Sequence, residues 1–175
     1  MPEHKWDLAR LTTGERSALK RNAGVMMSSA SMQAIEAFYR ATTVQCSSFA
    51  EKAWFAALCL QCLWRPEDNP QIKPFPEILR TMYQNPDATD SLRKRCVNFM
   101  DLSWSDDGFL LGKLSNLTRK MRSETASIMP DFEALADDLS RWNQAEHYVQ
   151  RRWLTIICKA KEENDTIKEE QNNVG

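Results

Sequence analysis

An all-α protein is what this sequence predicts, with an N-terminal helical subdomain packed on a C-terminal helical bundle. Three observations predict it. Only five glycines occur in 175 residues, and runs of alternating apolar and polar residues are scarce. Apolar residues recur at helical spacing through nearly the whole chain. Helix-start signals, such as a Thr or Ser three residues ahead of a Glu, precede several of those periodic runs. Apolar residues make up 42% of the chain and charged residues 27%, enough for a real core.

The opening residues are anchored by Trp6, Leu8 and Leu11. Thr12 to Glu15 reads as a capping box, and the helix it starts should stop near Gly24. Met32, Ile35, Phe38 and Tyr39 define a second helix. Ser48 to Glu51 reads as another capping box. The helix after it carries Trp54, Phe55, Leu58, Cys59, Cys62 and Leu63, is apolar on most of its surface, and so should lie centrally. Residues 65–76 read as a long loop, because four prolines at that density prevent regular helix. A short helix with Ile78, Leu79, Met82 and Tyr83 follows, and Asn85-Pro86 ends it. The division between an N-terminal subdomain (1–86) and a C-terminal bundle (87–161) is placed here.

The bundle opens near Thr89, with Leu92, Cys96 and Phe99 inward and Arg93, Lys94 and Arg95 fanned around the rest. Trp104 plugs the following corner. Asp106 and Asp107 suit the positive end of the next helix, whose stripe is Leu110, Leu114, Leu117 and Met121. Lys113 and Lys120 run along one edge of that stripe, and Arg119 and Arg122 are read as outward. Asp131 caps a helix with Phe132, Leu135, Leu139 and Trp142 on one face and Asp137, Asp138 and Ser140 turned elsewhere. The last helix turns Val149, Trp153, Ile156 and Ala160 inward, with Tyr148, Arg152 and Lys159 as a polar edge and Arg151 outward. Residues 162–175 are acid-rich without apolar periodicity and read as a disordered tail.

Composition excludes several classes. No apolar run approaches the roughly 20 residues of a membrane span, and no signal-peptide pattern opens the chain. A cytoplasmic protein is the expectation. The five cysteines, an odd number set mostly in apolar patterns, suit a reducing compartment. Cys59 and Cys62 form a lone CxxC with no second pair, and His4 and His147 are distant, so buried thiols are expected and no metal. No phosphate loop, acid pair with further ligands, or Ser-His-Asp set is present, so no cofactor is expected either. Arg141 and His147 fall within the spacing of the Arg–His motif of HEPN-type helical ribonucleases. Trp142 stands where those enzymes carry a polar residue, and the chain is read as non-enzymatic.

What remains is the placement of charge. The formal net charge is −1. Residues 91–122 hold seven cations and three acids, a net of +4, whereas 131–141 hold four acids and one cation, a net of −3. Basic residues recur on helices from both ends of the chain: Arg16, Lys20 and Arg21; Arg93 and Arg95; Lys113, Arg119, Lys120 and Arg122; Arg151 and Arg152. By themselves such clusters leave two readings open, a solvated face or a surface for backbone phosphates.

Three blocks bear on the choice. The run DF, a Leu-rich turn, LSRW, a polar joint and VQRRW resembles the C-terminal signature of the CasB family, the small subunit of Cascade, the type I-E CRISPR surveillance complex. TTGERSALKRNAG resembles the N-terminal helix of that family, and SLRKRCVNFMDL the helix before its last bundle. They lie in the family's order and span most of the chain. The joint, Asn143-Gln144-Ala145-Glu146, lacks the family's usual His-Pro. The resemblance implies a non-catalytic nucleic-acid-binding subunit in antiviral defence. Its implied partners are guide RNA, the displaced DNA strand, other Cascade subunits and a second copy of itself, and no membrane. It also implies that the basic residues named above form the contact surface. A purely structural helical adaptor is the alternative. Arg151 and Arg152 lie outside the apolar stripe, so reversing their charge is expected to spare the fold.

Overall fold

The computed structural model describes residues 3–159, which form eight α-helices and two very short strands. Helix α1 (Thr13–Arg21) starts as expected: Thr12 Oγ1 accepts from the Glu15 amide, and the Glu15 carboxylate accepts from the Thr12 amide. It ends at Asn22, and Gly24, at φ +88°, supplies the left-handed turn. That turn sits so close to a later helix that a Cβ on Gly24 would fall 2.6 Å from Ser115 Oγ.

Helix α2 (Met32–Ala41) is capped by Ser31. Its inward face is Ala34, Ala37, Phe38 and Ala41, while Met32 and Tyr39 are exposed, against the sequence expectation. The alanines make the better inner face because small side chains let α2 lie close against α1. The Ser48 capping box does not form; Ser47 Oγ instead accepts from the Ala50 amide, one turn before α3 (Glu51–Gln61). Helix α3 is buried from Ala53 to Leu60 without a break, as its all-round apolar sequence requires.

The proline-rich stretch is not all loop. Gln71–Lys73 forms β1, which pairs in parallel with β2, Ile128–Pro130. Pro130 has no amide to donate, and the Asp131 amide bonds the Lys73 carbonyl at 2.8 Å in its place. Three-residue strands carry too little alternation to register as a pattern. Pro74 and Pro76 do not break helix either. They stand at the N-cap and second position of α4 (Phe75–Tyr83), where a missing amide costs nothing.

Helices α5 (Asp90–Asn98), α6 (Phe109–Glu124), α7 (Phe132–Ser140) and α8 (Tyr148–Cys158) complete the chain. Asp107 Oδ1 accepts the Phe109 amide at the start of α6, whereas Asp106 is paired with Lys52 at 2.8 Å. Asn143 brackets the backbone of Trp104, accepting its amide and donating to its carbonyl at 2.9 and 2.7 Å. Helix α3 packs along α7, and α4 along α8, so one hydrophobic core runs across residue 86, where the sequence divides the chain.

Two further inward faces differ from their sequence reading. On α8 the buried set is Val149, Gln150, Trp153 and Ile157, with Ile156 only half-buried. On α7 Asp138 is buried, not turned away. Its carboxylate accepts Trp153 Nε1 at 2.9 Å and Arg152 Nη2 at 2.5 Å. Ala160 and the 162–175 tail lie outside the described residues.

The N-terminal residues strap α2 to α7. Lys5 pairs with Asp137 at 3.1 Å, its amide bonds Glu133, and its ammonium lies 5.3 Å over the Trp54 ring. Trp6 Nε1 donates to Gln61 at 2.8 Å. His4 Nδ1 meets Glu133 at 2.8 Å, and that hydrogen bond, then the Glu133 charge, raises the imidazole above its ordinary pKa of 6.5. A raised imidazole contributes its ion pair below 6.5 and loses it as pH climbs through the raised value. Titration of the His4 ring by NMR should therefore give a value above 6.5 that falls in Glu133→Gln. An unchanged value in the variant would discard the contact.

Candidate nucleic-acid interface

Helix α6 sorts its cations onto two opposite edges. At 100° per residue, Lys113, Asn116, Leu117 and Lys120 lie within one sector, while Ser115, Arg119 and Arg122 lie on the far side of the core stripe. The first edge faces α5 across a groove of about 580 Å³. Lys94, Arg95 and Lys113 line it, with Asn98 and Asn116 between them and Phe99 and Leu117 at its base. None of these three cations has an acidic partner within 4.0 Å among the described residues. A second depression shares Ser91 and Arg95 and continues to Lys120, whose ammonium is 3.1 Å from Glu124. Three free cations above an apolar floor with amide side chains offer phosphates a charge and bases a surface. Neither contact selects a sequence.

The sequence names Lys94 only among the cations fanned around α5, not among the candidate contact residues. The signal was there, since Ser91, Lys94 and Asn98 recur at helical spacing as one polar face of α5. A run of three cations hides which of them points into a groove until the facing helix is known.

Several of the other basic residues are committed within the fold. Arg93 donates from Nε to the Tyr83 carbonyl and from Nη2 to the Asn85 carbonyl, both at 3.1 Å, and so caps the end of α4. Arg93→Ala should lower stability by about 1–2 kcal/mol, read as a fall of about 2–8 °C in Tm, because charge-assisted bonds to carbonyls are lost from a partly exposed site. No change in Tm would mean that water replaces the cap at no cost. Arg119 donates to the Ala23 carbonyl at 3.2 Å, tying α6 to the end of α1. Arg122 is not outward but two-thirds covered, 3.2 Å from Asp68.

Arg16 is half-buried, Arg21 reaches Gln33 at 3.5 Å, and Lys20 is exposed. On α8, Arg151 is exposed, but Arg152 is the partner of buried Asp138. Reversing Arg152 would set two carboxylates together, so the expectation that reversal spares the fold holds for Arg151 alone.

Arg141 leans back on its own helix, with Nε 3.4 Å from the Asp137 carbonyl, and His147 sits in left-handed backbone at φ 51° with its side chain in solvent. Burial pushes the Cys59 thiol well up and the Cys62 thiol to about 12, so both stay protonated at neutral pH. Among the described residues no three His, Cys, Asp or Glu side chains gather as a metal site, and no helix is long and apolar enough to cross a membrane.

Comparison with known proteins adds the following. The family model described as CRISPR-associated protein Cse2 matches residues 15–155. No curated protein sequence matches the chain. Among solved structures, a chain of a CRISPR RNA-guided surveillance complex superposes with a TM-score of 0.65 at 17% identity, covering 93% of this chain and 88% of that one. The CasB protein of M. ruber superposes with a TM-score of 0.64 at 15% identity, covering 96% and 94%. At such identities the two structures establish a shared fold.

Proposed function

We propose, on the premise that this chain belongs to the CRISPR-associated Cse2 family, that it is a non-catalytic subunit of a CRISPR RNA-guided surveillance complex. In this reading its α5–α6 groove holds single-stranded nucleic acid by the backbone. The observation that carries the reading is the set of three cations, Lys94, Arg95 and Lys113, that line one groove without acidic partners among the described residues. Exchanging a DNA duplex for an RNA–DNA heteroduplex is nearly balanced in free energy, so backbone contacts to the released strand can tip it. The partners of the reading are guide RNA, the displaced DNA strand, neighbouring subunits of the complex and a second copy of the chain. Arg16, Lys20, Arg21 and Arg151 are further candidate contacts.

A structural adaptor is the second reading, and the commitment of Arg93, Arg119, Arg122 and Arg152 to internal partners favours it. Titrating target DNA against the complex purified with and without this subunit, beside two unrelated single-stranded oligonucleotides against the isolated chain, separates the two. The binding subunit tightens target affinity and holds both oligonucleotides alike. An adaptor restores assembly of the complex while the isolated chain leaves both oligonucleotides free.

A further inference from the structure

The basic groove ends at an ion pair. The depression that shares Ser91 and Arg95 with it measures about 370 Å³ and sets two cations, Arg95 and Lys120, against two acids, Asp87 and Glu124. The groove itself is lined by Lys94, Arg95 and Lys113 and by no acid. The formal charge of the lining therefore falls from +3 to zero in passing Arg95.

Nothing in the helix itself asks for Glu124. It is the last residue of α6, at the negative end of the helix dipole, where a carboxylate is disfavoured. Its ion pair is with Lys120, four positions earlier, at 3.1 Å. Lys ahead of Glu is the weaker order for such a pair. Both side chains are partly exposed, 34% and 52%, so the pair adds little to stability. Its effect is on the charge that the groove offers. Lys113, Lys120 and Glu124 follow one another along the edge of α6 that faces α5, with Lys120 about 10 Å beyond Lys113. Glu124 occupies the ammonium that would otherwise extend the row of free cations.

We infer that Glu124 is a specificity-determining residue of the groove: by holding Lys120 it ends the path of a single strand at Arg95 and limits how many phosphates are bound. The inference rests on the nucleic-acid reading of the α5–α6 groove and deepens it. A strand along the groove meets three free cations and then a depression with no net attraction. Lengthening the strand past that point gains nothing, so the subunit grips a short stretch.

Binding of single-stranded oligonucleotides of increasing length to the full chain, over a salt series, tests it. Glu124→Gln should tighten binding of the longer oligonucleotides about 4-fold at about 0.15 M salt and steepen the slope of log affinity against log salt by about 0.7, one phosphate more. The length at which affinity stops rising should increase. Glu124→Gln combined with Lys120→Gln should cancel these gains, because the depression again carries no net charge. Glu36→Gln makes the same charge change on the exposed side of α2, which packs on α1 and α3, and should alter nothing. Glu124→Gln should melt no lower than the wild type. Unchanged affinity and slope in Glu124→Gln, beside a wild type that binds, would overturn the inference and leave the groove reading standing. An equal gain in Glu36→Gln would overturn it as well, since overall charge would then set the affinity. So would a gain that survives the loss of Lys120. A wild-type chain that leaves every oligonucleotide free fails the groove reading, and the inference with it.

Discussion

Trp153→Ala is expected to cost about 5 kcal/mol, the largest loss of any single substitution in the bundle. Trp153 is fully buried and stands at the centre of a four-ring cluster that joins four separate elements. It stacks on Phe75 of α4 at 5.4 Å and meets Trp142 edge-on at 5.4 Å and Phe99 at 6.2 Å. Phe99 and Trp142 in turn stack on each other at 6.0 Å. Truncating a buried Trp costs about 3–5 kcal/mol in transfer and cavity terms. Lost ring–ring geometry adds about 0.5–1.5 kcal/mol per pair. Asp138, itself buried, also loses the indole N–H as one of its two strong donors. A domain of this size has a total stability of about 5–15 kcal/mol, so the variant sits near the threshold of folding. Thermal melts should show Tm lower by about 10–20 °C. Trp153→Phe keeps the stack and loses the donor, and should fall between. An alanine variant that melts with the wild type would mean that the cluster does not hold the bundle together.

Reversing Lys94, Arg95 and Lys113 together to Glu is expected to abolish most single-strand binding while leaving the helical content unchanged. All three are exposed, and none is engaged by an acid among the described residues. For single strands each phosphate neutralised contributes about 0.7 to the slope of log affinity against log salt. Losing three should flatten that slope by about 2. Taking 1 M salt as the point where this term vanishes, the affinity lost near 0.15 M is about 50-fold, before any repulsion from the new carboxylates. The loss should be the same for two unrelated oligonucleotides. Arg151→Glu, which leaves the Arg152–Asp138 pair intact, reports separately on the candidate contact of α8. A triple variant with wild-type affinity and slope would move the binding path off this groove and strengthen the adaptor reading.

The helices that carry strong local signals were legible without the fold. The capping box at Thr12, the Asp131 cap, the stripe from Leu110 to Met121 and the all-apolar α3 each stand where their residues place them. Each rests on contacts within a few positions of the chain. Family membership was legible too, because three residue blocks kept their order over most of the length.

What the sequence determined by itself was thus the all-α class, most helix starts, the core stripes of α3, α6 and α7, the family, and the fact that cations crowd residues 91–122. Only the tertiary structure decided which of those cations are available. Arg93 and Lys94 are neighbours in the chain, yet one caps α4 and the other lines the groove. Arg119 and Lys120 part in the same way, toward α1 and toward α5. Asp138 looked like solvent-facing charge until α8 brought Trp153 and Arg152 to it. The physical reason is common to all three. A long charged side chain takes whichever carbonyl or carboxylate lies within its reach, and that partner comes from a helix 8 to 96 positions away in the chain. Local periodicity states which way a side chain leaves its own helix; only the neighbouring helix states what it finds there.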